Sequence, residues 1–266
     1  MKSFLLQEQQ AYLRYEDLSG ENPTYVYLSG LMMAAHASFA SIVAEHPALV
    51  RHRSVFVDLL GSGFSDGPKD FGYSLEEHAN TVAMLLDELD LRGCSVIGYS
   101  MGGAVAITLA AIRPDLVSRL VLMEANLDPG GGMVSRSIAE QTEEAFCSQG
   151  FQTLIESWRQ EGIDGDAVSA TTAGILQVAT PHALHRSAVG LVHGTQPTMR
   201  ERLLEMTIPR AYIFGEQSLP DPWARDLWDA LASEGIQVLS VPNAGHGMAW
   251  DNPSGVAEAL NTALNA

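Results

Sequence analysis

Basic residues are scarce in this sequence. Fifteen lysines and arginines stand against 32 aspartates and glutamates, leaving a formal net charge of −17. Nucleic acid and anionic membrane surfaces both select for basic patches, so neither is expected as a partner; a small molecule is. Cysteine is scarcer still: Cys94 and Cys147 are the only two, and they fall in segments assigned below to different modules. That excludes a disulfide framework and points to unpaired thiols in a reducing compartment. No apolar run approaches the ~20 residues a membrane span requires. The start, MKSFLLQEQQAYLRYED, has one lysine and an apolar stretch too short for a secretory signal, so the cytoplasm is the expected location. Internal repeats and low-complexity tracts are missing too. What is present is 266 residues, 46% of them hydrophobic, which can bury a sizeable core.

Short apolar runs alternate with longer stretches of helical period, the signature of a mostly parallel sheet covered by helices. AYLRYED (11–17) and TYVYLSG (24–30) read as strands and are expected to open the sheet in antiparallel fashion; SVFVDLLG (54–61) is a third. SLEEHANTVAMLLDELD (74–90) begins with a Ser-x-x-Glu capping box and repeats its apolar positions at helical spacing. CSVIG (94–98) is a buried strand, followed by a helix from Met101 to Ile112, and RLVLME (119–124) is the next strand. The pattern then breaks. From 126 to 207 there is no strand signal, only short helix-like stretches: SIAEQTEEAFCSQG, FQTLIESWRQEG, DAVSATTAGILQVA and PHALHRSAVGLVHG. Alternation resumes with the strand RAYIFG (210–215), a helix around 221–234, the strand IQVLSV (236–241) and a last helix from Pro253. The division read here is an α/β core over 1–125 and 208–266, with a helical cap over 126–207.

At the junction of the strand 94–98 and its helix stands GYSMGG (98–103). Glycine is costly inside regular elements, so three in six residues need a reason. A Gly-x-Ser-x-Gly turn between strand and helix holds its serine in a strained conformation at the carboxyl end of the sheet, where open α/β sheets bind ligands. Ser100 is therefore the candidate nucleophile. The amide of Met101, at the N-terminus of the helix, points toward any negative charge developing there. Elsewhere, Gly61, Ser62 and Gly63 lack the third glycine of a dinucleotide fingerprint, and the GGG at 130–132 lacks the lysine of a phosphate loop.

Together with DLLGSGFSDGP, YSLEEHANTVAMLLDELDL, the segment from Val96 through Leu122, and PNAGHGMAWDNPSGVAEAL, this turn makes the chain resemble a capped α/β-hydrolase. The resemblance covers both parts of the core and leaves the cap unmatched. It implies an eight-stranded, mostly parallel sheet with helices on both faces and the cap inserted after the sixth strand. It also implies that His246, in the glycine-flanked loop after the last strand, is the base. The second oxyanion donor would come from LSGLMM (28–33): Leu31, paired with Met101. That family often has His-Gly where this chain has Ser29 and Gly30, so the side-chain support of the loop differs. For the acid, many relatives place aspartate after the seventh strand, where this chain has Ser218. Glu124, at the end of the neighbouring strand, resembles the arrangement in some haloalkane dehalogenases. Glu216 and Asp221 are the other candidates.

Dehalogenases and epoxide hydrolases of this fold attack with aspartate and form an ester that water cleaves. A serine attacking an sp3 carbon would be left as a stable ether, so acyl chemistry is expected: a serine hydrolase acting on a small apolar ester through Ser100, His246 and Glu124, without cofactor or metal. Carbon–carbon, lactone or thioester hydrolysis and acyl transfer remain open on the same triad, as does a ligand receptor that retains it. Met32, Met33 and Met248, adaptable in shape, and His36 are the candidate pocket residues; His182, His185 and His193 fall in cap helices.

Overall fold

The alternation of side chains along each strand decides how the sheet is covered. In the computed structural model, which describes residues 1–265, Val96, Leu120, Leu122, Tyr212 and Phe214 pack into one apolar cluster, whereas Ile97, Tyr99, Val121, Met123, Ala211 and Ile213 pack into another. Neighbouring residues of one strand point to opposite faces, so two clusters mean that both faces of the sheet are buried, as parallel strands require.

The strands and helices follow in chain order. β1 (Lys2–Leu6), β2 (Ala11–Leu18) and β3 (Glu21–Leu28) precede α1 (Ala35–Glu45), α2 (Pro47–Arg51) and β4 (His52–Asp58). Then come α3 (Leu75–Glu88), β5 (Cys94–Tyr99), α4 (Met101–Ile112) and β6 (Val117–Met123). The eight strands form one sheet in the order β1-β2-β4-β3-β5-β6 followed by β7 (Arg210–Gly215) and β8 (Gln237–Val241). The last helices are α11 (Pro222–Ser233), α12 (Met248–Asp251) and α13 (Pro253–Leu264). From β4 to β8 every pairing is parallel, while β1 with β2 and β2 with β4 are antiparallel. α3, α4 and α11 cover one face, α1 and α13 the other.

The antiparallel start differs from the expectation. The segments read at 11–17 and 24–30 do not pair: β4 lies between them, antiparallel to β2 and parallel to β3. β2 finds its other partner in β1, a strand the apolar pattern does not announce because its first residues are exposed. The capping box is present, Ser74 accepting from the Glu77 amide and Glu77 from the Ser74 amide. The stretch 58–66 is a tight turn organised by Asp58, whose buried carboxylate accepts from Ala35 N at 2.7 Å and Phe64 N at 2.9 Å.

Between β6 and β7 the described chain is helical: α5 (Met133–Ala139), α6 (Glu143–Ala145), α7 (Phe151–Ile163), α8 (Ala167–Leu176), α9 (Pro181–His193) and α10 (Met199–Glu205). The stretch read as one helix over 137–150 breaks at Glu140, because Thr142 caps a new start by accepting from Ala145 N. A wide turn at Phe146–Gly150 then joins α6 to α7. Arg186 of α9 ties this insertion to the core: it pairs with Glu143 and donates to the carbonyls of Lys69 and Phe71 at 2.7 and 2.9 Å.

Candidate active site

Ser100 is the single residue between β5 and α4, and its backbone (φ 53°, ψ −121°) is one that residues with a side chain rarely adopt. Such strain costs on the order of 1–3 kcal/mol and persists only where surroundings impose it. Here the Ser100 amide donates to Met123 O at 2.9 Å, and its carbonyl accepts from Gly103 N at 3.0 Å and Asn126 N at 3.3 Å. The glycines permit the close approach. A Cβ on Gly98 would lie 2.5 Å from Gly103 Cα, and one on Gly102 would lie 2.2 Å from Leu28 O. The Ser100 hydroxyl faces Asn126 Oδ1 at 3.4 Å.

Glu124 follows the last residue of β6 and is held by its own amide, which donates to Ile213 O at 3.0 Å. Its side chain is only 2% exposed and its Oε2 lies 2.8 Å from His246 Nδ1. The other oxygen accepts the Gly215 amide at 2.8 Å, and the Ser218 hydroxyl is a further partner. Burial alone would push this carboxyl up; the His246 ring, Ser218 and Gly215 outweigh it and hold it below the usual glutamate value. Glu216 instead accepts Asn243 N at 2.9 Å, and Asp221 sits at the N-cap of α11. Of the three acid candidates, the structure brings Glu124 to the histidine.

His246 stands in the loop after β8 with 58% of its side chain exposed. That loop is fastened from beneath. The Tyr99 hydroxyl donates to the His246 carbonyl, and the Tyr99 ring lies 5.3 Å from the imidazole. Asp251 accepts the Gly245 amide at 3.0 Å. Ser100, Glu124 and His246 all line one cavity of about 800 Å³.

The loop after β3 runs directly against the serine: a Cβ on Gly30 would sit 3.2 Å from Ser100 Cβ and 3.7 Å from its Oγ. Leu31 and Met101, whose amides are the expected oxyanion donors, are both buried. Ser29 supports the loop through a 2.5 Å hydrogen bond with Ser38 of α1. Leu31, Met32 and Met33 line the cavity.

Two expected pocket residues are placed elsewhere. Met248 is fully buried among Ala244, Val256 and Leu260, because α12 turns it inward, away from the cavity. His36 is 56% exposed on α1, where its Nδ1 lies 2.7 Å from Glu16. Conversely, Asn126, Ser218 and three tryptophans (Trp158, Trp223 and Trp250) line the cavity, none of them named as a pocket residue from the sequence. Asn126 and Ser218 were within reach, standing two residues beyond Glu124 and at the vacant acid position; the tryptophans come from three separate helices and share no motif. Among the described residues, no group of three or more His, Cys, Asp or Glu side chains is arranged to hold a metal ion.

A family model described as the alpha/beta hydrolase fold matches residues 23–163. The chain is similar to a putative carbamate hydrolase, RutD, of Stutzerimonas stutzeri, with 39% identity over 108 residues, 40% of this chain and 39% of that protein. It is also similar to a putative 2-succinyl-6-hydroxy-2,4-cyclohexadiene-1-carboxylate synthase of Bacillus subtilis, 28% identical over 76% of this chain and 77% of that one. The match to the first thus spans about two fifths of that relative's length. Among solved structures, a thermophilic esterase from Thermogutta terrifontis superposes with a TM-score of 0.81 at 19% identity, covering 100% of this chain and 98% of that one.

Proposed function

The chain belongs to the α/β-hydrolase fold family, and from that premise we propose that it is a serine hydrolase that cleaves an ester through an acyl-enzyme. The observation that carries this reading is the 2.8 Å contact between Glu124 and His246 Nδ1 beside a strained serine in one cavity. A buried carboxylate on Nδ1 selects the tautomer whose Nε2 is free to accept a proton, and stabilises the imidazolium that forms. His246 takes the hydroxyl proton as Ser100 Oγ attacks the carbonyl carbon. The oxyanion is received by the amides of Leu31 and Met101. The proton then goes to the departing alcohol, and a water activated by the same imidazole releases the acid and restores Ser100. The insertion over 126–207 acts as a cap: Val134, Trp158, Val168 and Leu191 from its helices wall the cavity, so it governs which substrates enter. No described helix is long and apolar enough to cross a membrane, and the cytoplasm is the proposed location.

A fluorophosphonate followed by peptide mass spectrometry tests the nucleophile. The adduct is expected on Ser100, and Ser100→Ala should lose ester turnover down to the residue supplied by binding and the oxyanion hole. An adduct on another serine with Ser100 unmodified would overturn the reading. The Bacillus subtilis relative, named as a synthase and matched over most of both chains, favours a second reading in which the same triad serves a substrate other than an ester. Labelling of Ser100 without turnover of any simple ester would favour that reading.

A further inference from the structure

Three of the protein's four tryptophans line the cavity. Trp158 comes from α7, Trp223 from α11 and Trp250 from α12, so three elements distant in sequence converge on one space. At the rim, Trp223 is 49% exposed and Met133 of α5 is 79% exposed, leaving large apolar side chains unshielded. The cavity, about 800 Å³, lies toward the upper end of the range for sites that enclose a drug-sized ligand. That exceeds what a small ester needs.

The charges point the same way. The carboxylates on the wall are Glu124, Asp128 and Asp221, and Arg136 is the one lysine or arginine among the lining residues. Asp128 is taken up by Arg200. Arg136 is exposed and its guanidinium donates to Gly131 O at 3.4 Å. The Ser100 hydroxyl faces Asn126, and Glu124 joins His246 and Ser218; none of these side chains is a fixed cation. A carboxylate on the substrate would add to the charges of Glu124 and the developing oxyanion, which already share the transient imidazolium of His246. It would leave Arg136 as the one permanent cation on the wall, in a protein already carrying −17.

Resting on the serine-hydrolase reading, we infer that the natural substrate is an uncharged ester bearing a bulky aromatic group, held between the faces of Trp158, Trp223 and Trp250, and that carboxylate-bearing esters are rejected. Indole faces give large contact area at small entropic cost and favour ring partners through offset stacking. An aliphatic chain would gain the burial but not the stacking.

Methyl acetate, 2-naphthylmethyl acetate, methyl 2-naphthylacetate and the 6-carboxylated counterparts of the two naphthyl esters form a suitable panel, since the leaving alcohols differ little in acidity. At least one neutral naphthyl ester should exceed methyl acetate in kcat/KM by about a hundredfold or more, and its carboxylated counterpart should fall at least about tenfold below it. Binding is read separately from turnover: on Ser100→Ala, the favoured naphthyl ester should change the tryptophan emission saturably. Trp223→Ala in that background should weaken the binding about tenfold. Absence of saturable naphthyl binding, equal use of methyl and naphthyl esters, or preference for a carboxylated ester that disappears in Arg136→Gln would each overturn the inference. Failure of the phosphonate to label Ser100 would instead overturn the serine-hydrolase reading beneath it.

Discussion

Glu124 serves the Gly215 amide and His246 through different oxygens, and these two can be separated. One oxygen holds the Gly215 amide at the end of β7, the other faces His246. Glu124→Gln can keep an acceptor for Gly215 only by turning its NH2, a donor, toward Nδ1. Turnover of the best ester should drop by about 10²–10⁴, with a small change in thermal midpoint. Glu216→Gln and Asp221→Asn should be mild by the same assay, since the Glu216 side chain serves Asn243 and Asp221 stands at the N-cap of α11 with no side-chain capping bond and no bond to His246. The reverse ranking would move the acid to the β7 end. Because the folded carboxyl lies below its usual value, the stability it contributes is complete above ~4.5 and is lost as pH falls through the lowered value. Denaturant unfolding at pH 7 and below 4 would show the difference narrowing between the protein and Glu124→Gln. Ser100 and Glu124 were legible as candidates because each ends or directly follows an apolar run, and His246 because it stands in a glycine-flanked loop after one. Met248 and His36 were misplaced for want of a direction: closeness in sequence to a catalytic loop does not say which way a helix turns its side chains.

Among the elements, the β5–α4 junction shows how much of a fold a few atoms can control. Gly102→Ala would drive a methyl into the Leu28 carbonyl, which is backbone and cannot yield. A loss of at least about 1–3 kcal/mol is expected, with displacement of the β3 loop that carries Leu31. Gly174→Ala is the internal control: it lies in α8 with nothing within 4 Å of the added atom, and should be neutral or stabilising by up to about 1 kcal/mol. Equal effects of the two substitutions on the thermal midpoint would argue against tight packing at the turn. The glycines of 98–103 announced this junction from sequence alone. The position of β4 between β2 and β3 was not announced, since strand order depends on pairings between residues far apart, such as Tyr15 with Val57. α10 was missed for a different reason: seven residues, about two turns of helix, with Thr198 capping by a bond to Glu201 N, give too short a period to read.

The molecule as a whole carries a built-in sensitivity to acid at His78. This ring, 1% exposed, packs beside Phe71 and Tyr73 at 5.7 and 5.8 Å, and neither nitrogen has a hydrogen-bond partner among the described residues. Burial pushes its pKa down to about 4, against a smaller opposing pull from Glu77. The unfolded chain therefore takes up a proton near 6.5 while the folded one resists until about 4, so stability declines as pH falls through that window and levels off below it. The decline from this group is on the order of 3 kcal/mol. His78→Leu should flatten the dependence of unfolding free energy on pH between 6.5 and 4; an unchanged slope would assign the acid sensitivity elsewhere. One further consequence follows from where the insertion leaves the sheet. Glu124 and Asn126, which face His246 and Ser100, are the first residues beyond β6. The root of the helical insertion and the residues proposed to orient His246 and face Ser100 are thus one stretch of chain. A chimera that exchanges these helices keeps the Glu124–His246 and Asn126–Ser100 contacts only when the crossover falls after Asn126, so for graft purposes those residues belong with the sheet and not with the helices above it.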